Sequence, residues 1–351
     1  MQSVRDHLNS FLRNMLIISL LIITIALLIY MLGIEKIVIR PVKKLAHFTA
    51  NIIQAGRFEK QKIVLHTGDE IEELGGAVNV MIEKLEEYIE NLTAVTSEKE
   101  RIGAELGVAT HIQSSMLPCI FPAFPDRDEF DIYATMTPAK EVGGDFYDFF
   151  MVDDRHLAIV MADVSGKGVP AALFMVIGKT LIKDHTVPGR NLGEVFTEVN
   201  NILCESNDNG MFITAFEGVL DLVTGEFRYV NAGHEKPFIY RKGKGYEEYK
   251  TRAGFVLAGM ENIKYKEQVI QLEAGDRIFQ YTDGITEATD SDKQLYGMDR
   301  LNSVLNMKCA ECSPEETLRL VKADIDTFVG GADQFDDITM LCLEYVRKME
   351  E

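Results

Sequence analysis

The stretch DFYDFFMVDDRHLAIVMADVSGKG (Asp145–Gly168) carries two runs rich in β-branched and aromatic residues on either side of Asp153-Asp154-Arg155. That pattern predicts an antiparallel hairpin, Asp145–Val152 against His156–Val164. Downstream, helical spacing covers Pro170–Lys183 and Leu192–Glu205. MFITAFEGVLDL (Met211–Leu222) and EFRYVNAG (Glu226–Gly233) form a second strand pair around a Thr-Gly turn. DRIFQYTDG (Asp276–Gly284) reads as a strand, Pro314–Val329 as a helix and ITMLCLEYV (Ile338–Val346) as a final strand. Strands and helices do not alternate regularly. The expectation is therefore an α+β fold, an antiparallel β-sandwich flanked by helices, and not a doubly wound parallel sheet.

Aspartates recur where these strands begin or end. Asp145 opens one after Val-Gly-Gly, Asp163 closes the next, Asp283 closes a third before Gly284, and Asp336 and Asp337 open the last. Strand ends can aim several side chains into one cleft, and flanking glycines let backbone approach a ligand. Taken singly, each aspartate equally fits a turn or a cap. Taken jointly, they are an all-oxygen set suited to hard cations such as Mg²⁺ or Mn²⁺, without which they repel one another. Spacing alone leaves both readings open.

The chain has 351 residues, with 36 Lys+Arg against 55 Asp+Glu and a formal charge of −19. Residues 1–100 hold 11 basic and 13 acidic groups, so −17 falls on residues 101–351. An acidic body of this size argues against nucleic acid as a partner, because binding it needs basic surface to displace counterions. Five scattered cysteines imply no disulfide framework, and the Cys309/Cys312 pair lacks a second pair to complete a zinc site.

NMLIISLLIITIALLIYMLGI (Asn14–Ile34) is 21 residues without a charge, close to the roughly 20 needed to cross a bilayer core. The adjoining EKIVIRP (Glu35–Pro41) lacks the small-residue cleavage pattern of a signal peptide. Lys36, Arg40, Lys43 and Lys44 crowd the C-terminal flank of the apolar run, so the positive-inside rule places the bulk of the chain in the cytoplasm. The expected protein is single-pass in the cell membrane. Pro41 then stops one helix and can start the next. Val42, Leu45, Thr49 and Ile52 make a short apolar stripe, and a break at Gly56 opens a connector running to about Gly68. From Ile71 the spacing turns regular: Leu74, Val78, Met81, Leu85, Tyr88, Leu92 and Val95, then Lys99 as a fault before Ile102, Leu106 and Ala109. Sustained heptads of this kind predict a coiled coil and a parallel homodimer; the alternative is a long helix folded back on its own domain.

The span, Pro41, a first amphipathic helix, a connector and GDEIEEL (Gly68–Leu74) opening a second helix together resemble a HAMP domain, a linker module of bacterial receptors. That resemblance implies a homodimeric four-helix bundle passing conformational change from membrane to output domain. The organisation expected is an N-terminal flank at 1–14, a transmembrane helix at 15–34, a HAMP domain at 35–90, a coiled-coil signalling linker at 91–117 and an output domain at 118–351.

Five motifs in order characterise that output domain: EVGGDFYD (Glu141–Asp148), ADVSGKGVPAALFM (Ala162–Met175), NAGHEKPF (Asn231–Phe238), YTDGITEA (Tyr281–Ala288) and FDDITML (Phe335–Leu341). With IQSSMLP (Ile112–Pro118) before them, they resemble PPM-type serine phosphatases of the protein phosphatase 2C superfamily, in the bacterial sporulation and stress-response (SpoIIE-like) branch. The resemblance implies hydrolysis of phosphoserine or phosphothreonine on a cytoplasmic protein, such as an anti-sigma-factor antagonist, by water activated between two divalent cations, Mn²⁺ or Mg²⁺. It assigns Asp163 as the carboxylate bridging both ions and the Val164 carbonyl to the second ion. Asp283 and Asp336 become further ligands, and Asp145 acts through water. Asp337 falls where relatives outside the branch often carry Asn. No protein nucleophile is needed; Ser165 reads as a turn residue. Lys140 is the nearest basic residue to the first motif for holding phosphate, and His234 is either a general acid or part of the NAGH turn. A rival of another class is a catalytically silent scaffold that binds a regulator through the same domain. Gly178-Lys179-Thr180 and Ser165–Gly168 both fail the pattern of a phosphate-binding loop.

Overall fold

The structure is a computed structural model describing residues 2–55, 62–205 and 207–347. It divides into two compact units, Met1–Ile102 and Gly103–Glu351.

In the first unit α1 (Gln2–Ile34) carries an apolar run whose large side chains, Met15 to Leu32, are exposed. It is long and apolar enough to cross a membrane. The chain does not break at Pro41. A π-helical turn (Glu35–Ile39) continues directly into α2 (Arg40–Ala55), with the Arg40 N–H donating to the Glu35 carbonyl. A wider turn accommodates a proline whose ring would collide with the carbonyl four residues back, so the helix converts where a stop was expected. The expected connector between Gly56 and Gly68 lies partly outside the described residues; from Lys62 it runs without helix or strand to α3 (Glu70–Met116). Leu45 of α2 packs with Ile63 and Leu65 of the connector, against Phe48, Ile71 and Val78. Asn79 pins the connector by accepting from the Ile63 N–H (2.9 Å) and donating to the Ile63 carbonyl (2.8 Å). The α3 residues buried within this unit are Gly75 and Ile82, whereas Leu74, Met81, Leu85, Tyr88, Leu92 and Val95 stay exposed.

The second unit is a sandwich. In chain order its elements are β1 (Phe130–Thr137), β2 (Phe146–Met151), β3 (His156–Val164), α4 (Val169–His185), α5 (Leu192–Glu205), β4 (Ile213–Asp221), β5 (Glu226–Ala232), β6 (Phe238–Arg241), β7 (Gly245–Glu248), β8 (Gln268–Gln271), β9 (Asp276–Tyr281), α6 (Asp283–Thr286), α7 (Met298–Lys308), α8 (Pro314–Val329) and β10 (Ile338–Tyr345). One sheet has the order β1-β10-β9-β6-β7, the other β2-β3-β4-β5-β8, and every pairing is antiparallel. The α+β sandwich expected from the sequence is the observed fold, and the hairpin β2–β3 forms in the register Phe146↔Ala162 to Met151↔Leu157. β3 is sequestered on both faces, with Leu157 to Ala162 almost wholly buried. That explains its continuous apolar run in place of a two-residue alternation.

Inner faces of both sheets meet in one core, which also takes Ala171, Phe174, Met175 and Ile182 of α4 and Val195, Phe196 and Val199 of α5. A second core lies on the outer side of the first sheet, where Phe279, Tyr281, Met340 and Cys342 pack on Leu301 and Leu305 of α7 and Leu318, Val321 and Ile325 of α8. Helices therefore cover both outer faces.

A polar layer interrupts the packing of α4 on the β2-β3-β4 sheet. Lys179 pairs with the buried Asp148 at 2.6 Å, and the fully buried Glu217 accepts from Thr186 Oγ1 at 2.6 Å. Burial first, then the Asp148 carboxylate, raises the Glu217 pKa to about 8. Folded Glu217 thus keeps a proton that the unfolded chain releases above its ordinary value of 4.5. Its contribution to stability is complete below that value and is lost as pH rises through the folded one. Melting temperatures of Glu217→Gln measured from pH 5 to 8 should accordingly fall less steeply than those of the wild type; equal slopes would show that Glu217 is ionised in the fold.

Candidate metal centre

One end of the sandwich gathers the aspartates. Asp145 lies just before β2 and is buried; its Oδ2 accepts from Thr282 Oγ1 (2.7 Å) and Thr339 Oγ1 (2.5 Å). Burial, reinforced by the Asp163 and Asp337 carboxylates, drives its pKa well up despite those hydroxyls. Asp163 is paired with Thr214 near the end of β3. Its pKa rises to about 6 through burial, opposed by a hydrogen bond with Asp145 and pushed further by Asp336 and Asp337. Asp283 comes after β9, yet it begins the helical turn α6 and does not close the strand. Burial and the neighbouring Asp163, Glu287 and Asp336 raise it to about 7. The Asp163 carboxylate thus raises both Asp145 and Asp283.

Asp336 and Asp337 enter β10 with different partners. Asp336 Oδ2 meets the Lys167 ammonium at 2.8 Å, and its Oδ1 accepts from the Asp337 N–H. Asp337 is directed at backbone: Oδ1 accepts from the Ala139 N–H (2.8 Å), and Oδ2 from those of Gly144 (2.8 Å) and Asp145 (3.4 Å). The glycines of both motifs are steric requirements. A Cβ at Gly143 would collide with the Asp337 carboxylate, one at Gly144 would stand 2.9 Å from the Val164 carbonyl, and one at Gly284 would overlap the Asp337 carbonyl. Among the described residues, no three His, Cys, Asp or Glu side chains converge closely enough to hold one ion. The chemistry of the aspartates is nonetheless all-oxygen and anionic, which fits a hard divalent cation.

The other residues singled out in the sequence are spread around this cleft. Val164 ends β3 with its carbonyl against Gly144. Ser165 accepts from the Phe212 N–H (2.9 Å), as a turn residue does. His234 is buried; it contacts Thr214 Oγ1 through Nδ1 (2.9 Å) and exchanges two hydrogen bonds with Asn231. Burial lowers its pKa to about 4, which favours the neutral ring near neutrality. Lys140 is exposed on the loop before β2. Four further residues bear on the site: Thr282 and Thr339 hold Asp145, Lys167 meets Asp336, and Gln113 grips the Gly143 peptide with its Nε2 donating to the carbonyl (2.6 Å) and its Oε1 accepting from the N–H (3.1 Å). Each stands inside a quoted motif, but only distance in space shows its partner.

A family model described as Stage II sporulation protein E (SpoIIE) matches residues 153–346. The chain belongs to this family. Asp163, Asp283, Asp336 and Asp337 lie within the SpoIIE match and Asp145 just before it. IcfG of Synechocystis sp. is 30% identical over 318 residues, 83% of this chain and 49% of that protein. Phosphoserine phosphatase RsbU of Bacillus subtilis is 30% identical over 269 residues, covering 76% of this chain and 77% of RsbU. The chain thus spans about half the length of IcfG. In fold it is similar to the SiaA-PP2C domain of Pseudomonas aeruginosa, with a TM-score of 0.62 and 22% identity over 70% of this chain and 98% of that one.

Asp337→Ala should cost about 2–4 kcal/mol in denaturant unfolding, since it orphans buried N–H groups. Asp145→Asn keeps the shape of a neutral carboxyl and should raise the melting temperature of the metal-free protein. A lower one would mean that Asp145 is ionised there.

Proposed function

We propose that the chain is a membrane-anchored, metal-dependent protein serine/threonine phosphatase acting on a phosphorylated cytoplasmic regulatory protein. The observation that carries this reading is the gathering of Asp145, Asp163, Asp283 and Asp336 at strand ends on one side of a SpoIIE-family sandwich. Asp163, Asp283 and Asp336, with the Val164 carbonyl, would hold two divalent cations, Mn²⁺ or Mg²⁺, with Asp145 acting beside them through water. Such ions supply Lewis-acid activation of water and neutralise charge on phosphoryl oxygens. Asp337 keeps the Gly143–Asp145 backbone in place. Ser165 and His234 keep their turn contacts, so no side chain acts as nucleophile. The name phosphoserine phosphatase borne by RsbU supports the choice of substrate class. A cavity of about 280 Å³ lined by Gly284, Ala288, Val329, Phe335 and Asp336 offers room beside the site for residues flanking the phosphorylated side chain.

α1 would span the membrane with Lys36, Arg40, Lys43 and Lys44 on the cytoplasmic side. α2, the connector and the start of α3 form the HAMP-like module, and the exposed stripe from Leu74 to Val95 is the face that a second copy covers in a parallel dimer. At the far end of α3, Gln113 holds Gly143 and Thr110 Oγ1 donates to the Glu141 carbonyl (2.5 Å). A change in the helix would reach Asp145 through these bonds.

Asp163→Asn should abolish Mn²⁺-dependent hydrolysis of a phosphoserine protein and the rise in melting temperature that Mn²⁺ gives the wild type; turnover at the wild-type rate would sink the two-ion assignment. Leu85→Lys should lower dimer content in detergent, read by light scattering, and Gln113→Leu should change activity about tenfold with the dimer intact. If both leave activity untouched, α3 does not transmit a signal.

A further inference from the structure

We propose that Lys167 is the side chain that grips the phosphoryl group in this cleft, an inference that rests on the phosphatase reading. Lys167 lies between Asp163 at the end of β3 and the start of α4. The glycines on either side of it, Gly166 and Gly168, adopt φ of 90° and 78°, which ordinary side chains avoid. This kinked loop sends the lysine across the cleft. Its ammonium stands 2.8 Å from Asp336 Oδ2, donates to the Phe335 carbonyl at 2.6 Å and lies 3.9 Å above the Phe335 ring centroid. It also favours the ionised form of Asp163. The positive charge therefore ties the loop after β3 to Asp336 at the entry to β10.

Charge explains why the position matters. A phosphomonoester brings about 1.5 to 2 negative charges to a cleft already lined by Asp145, Asp163, Asp283 and Asp336. Among the described residues, no other basic side chain makes an ion pair with these carboxylates or with Asp337. Lys140, the candidate from sequence, is exposed and makes no such contact. An ammonium has three N–H donors. Two face the Phe335 carbonyl and Asp336, so one is left for a phosphoryl oxygen, and the lysine is open enough to meet solvent. Stacking on Phe335 holds the head group in place without using that donor. Lys167 donates a hydrogen bond to a non-bridging oxygen, keeps its proton throughout and forms no covalent bond. Its contribution is to hold the dianion, so it governs KM and phosphate affinity more than the chemical step.

The test uses the full chain in detergent, saturated with Mn²⁺, with p-nitrophenyl phosphate and inorganic phosphate as probes. Lys167→Ala should raise both KM and the phosphate inhibition constant about tenfold to a hundredfold, the range for one charge-assisted hydrogen bond, with a smaller change in kcat. Lys167→Arg should restore most of both. Calorimetric titration with inorganic phosphate should show the same loss and the same rescue. Should the alanine variant not fold, Lys167→Met keeps the aliphatic stem over Phe335 and makes the same comparison. KM and phosphate affinity at wild-type values, with only Mn²⁺ affinity altered, would overturn the proposal and leave Lys167 as a counter-ion to Asp336. A wild-type chain without Mn²⁺-dependent turnover would sink the phosphatase reading instead, and the phosphate titration would still judge the lysine.

Discussion

The Asp337 carboxylate joins two segments nearly two hundred residues apart. By accepting from the backbone of Ala139, Gly144 and Asp145, it fixes the loop that delivers Asp145 against the start of the strand that delivers Asp336. The joint tolerates no added bulk. Gly143 and Gly284 both press against Asp337 atoms that a Cβ would displace. Backbone N–H groups buried in this way need an acceptor, and a charged one is stronger than a neutral one. The cleft is thus assembled by an aspartate whose own charge is spent on the main chain.

Around that joint the fold holds groups that electrostatics would drive apart. Burial pushes the pKa of Asp145, Asp163 and Asp283 up, and neighbouring carboxylates push each of them further. Only a rigid frame sustains such an arrangement. Two five-stranded sheets sharing a core supply it, with helices packed on the outer faces. The hydroxyls of Thr282 and Thr339, on neighbouring strand ends, offset part of the cost at Asp145.

Much of this is legible in the sequence, and the rest is hidden for identifiable reasons. The hairpin β2–β3, the pair β4–β5 and the helix Pro314–Val329 all declare themselves through apolar runs bounded by turn residues. β6, β7 and β8 do not: each is four residues long with few buried side chains, too short for a periodic signal. YTDG looks like a strand exit in sequence, whereas the chain turns into a helix at Asp283. The aspartates can be picked out from motifs, but Lys167 meeting Asp336 and Gln113 meeting Gly143 are tertiary contacts. Lys167 stands in a glycine-lysine string that fails as a nucleotide loop, and that failure conceals its real neighbour.

The π-helical turn at Glu35–Ile39 has a geometric corollary for α2. Such a turn holds one residue more than an α-helical turn, so all of α2 is phase-shifted by one position. At 3.6 residues per turn, that offset is a rotation of about 100° about the helix axis. The face that Leu45 presents to Ile63 and Leu65 therefore depends on a local choice of hydrogen-bond partner, Arg40 to Glu35 in place of Arg40 to Lys36. The facing of α2 is thus set as an angle about its own axis, by the width of a single turn.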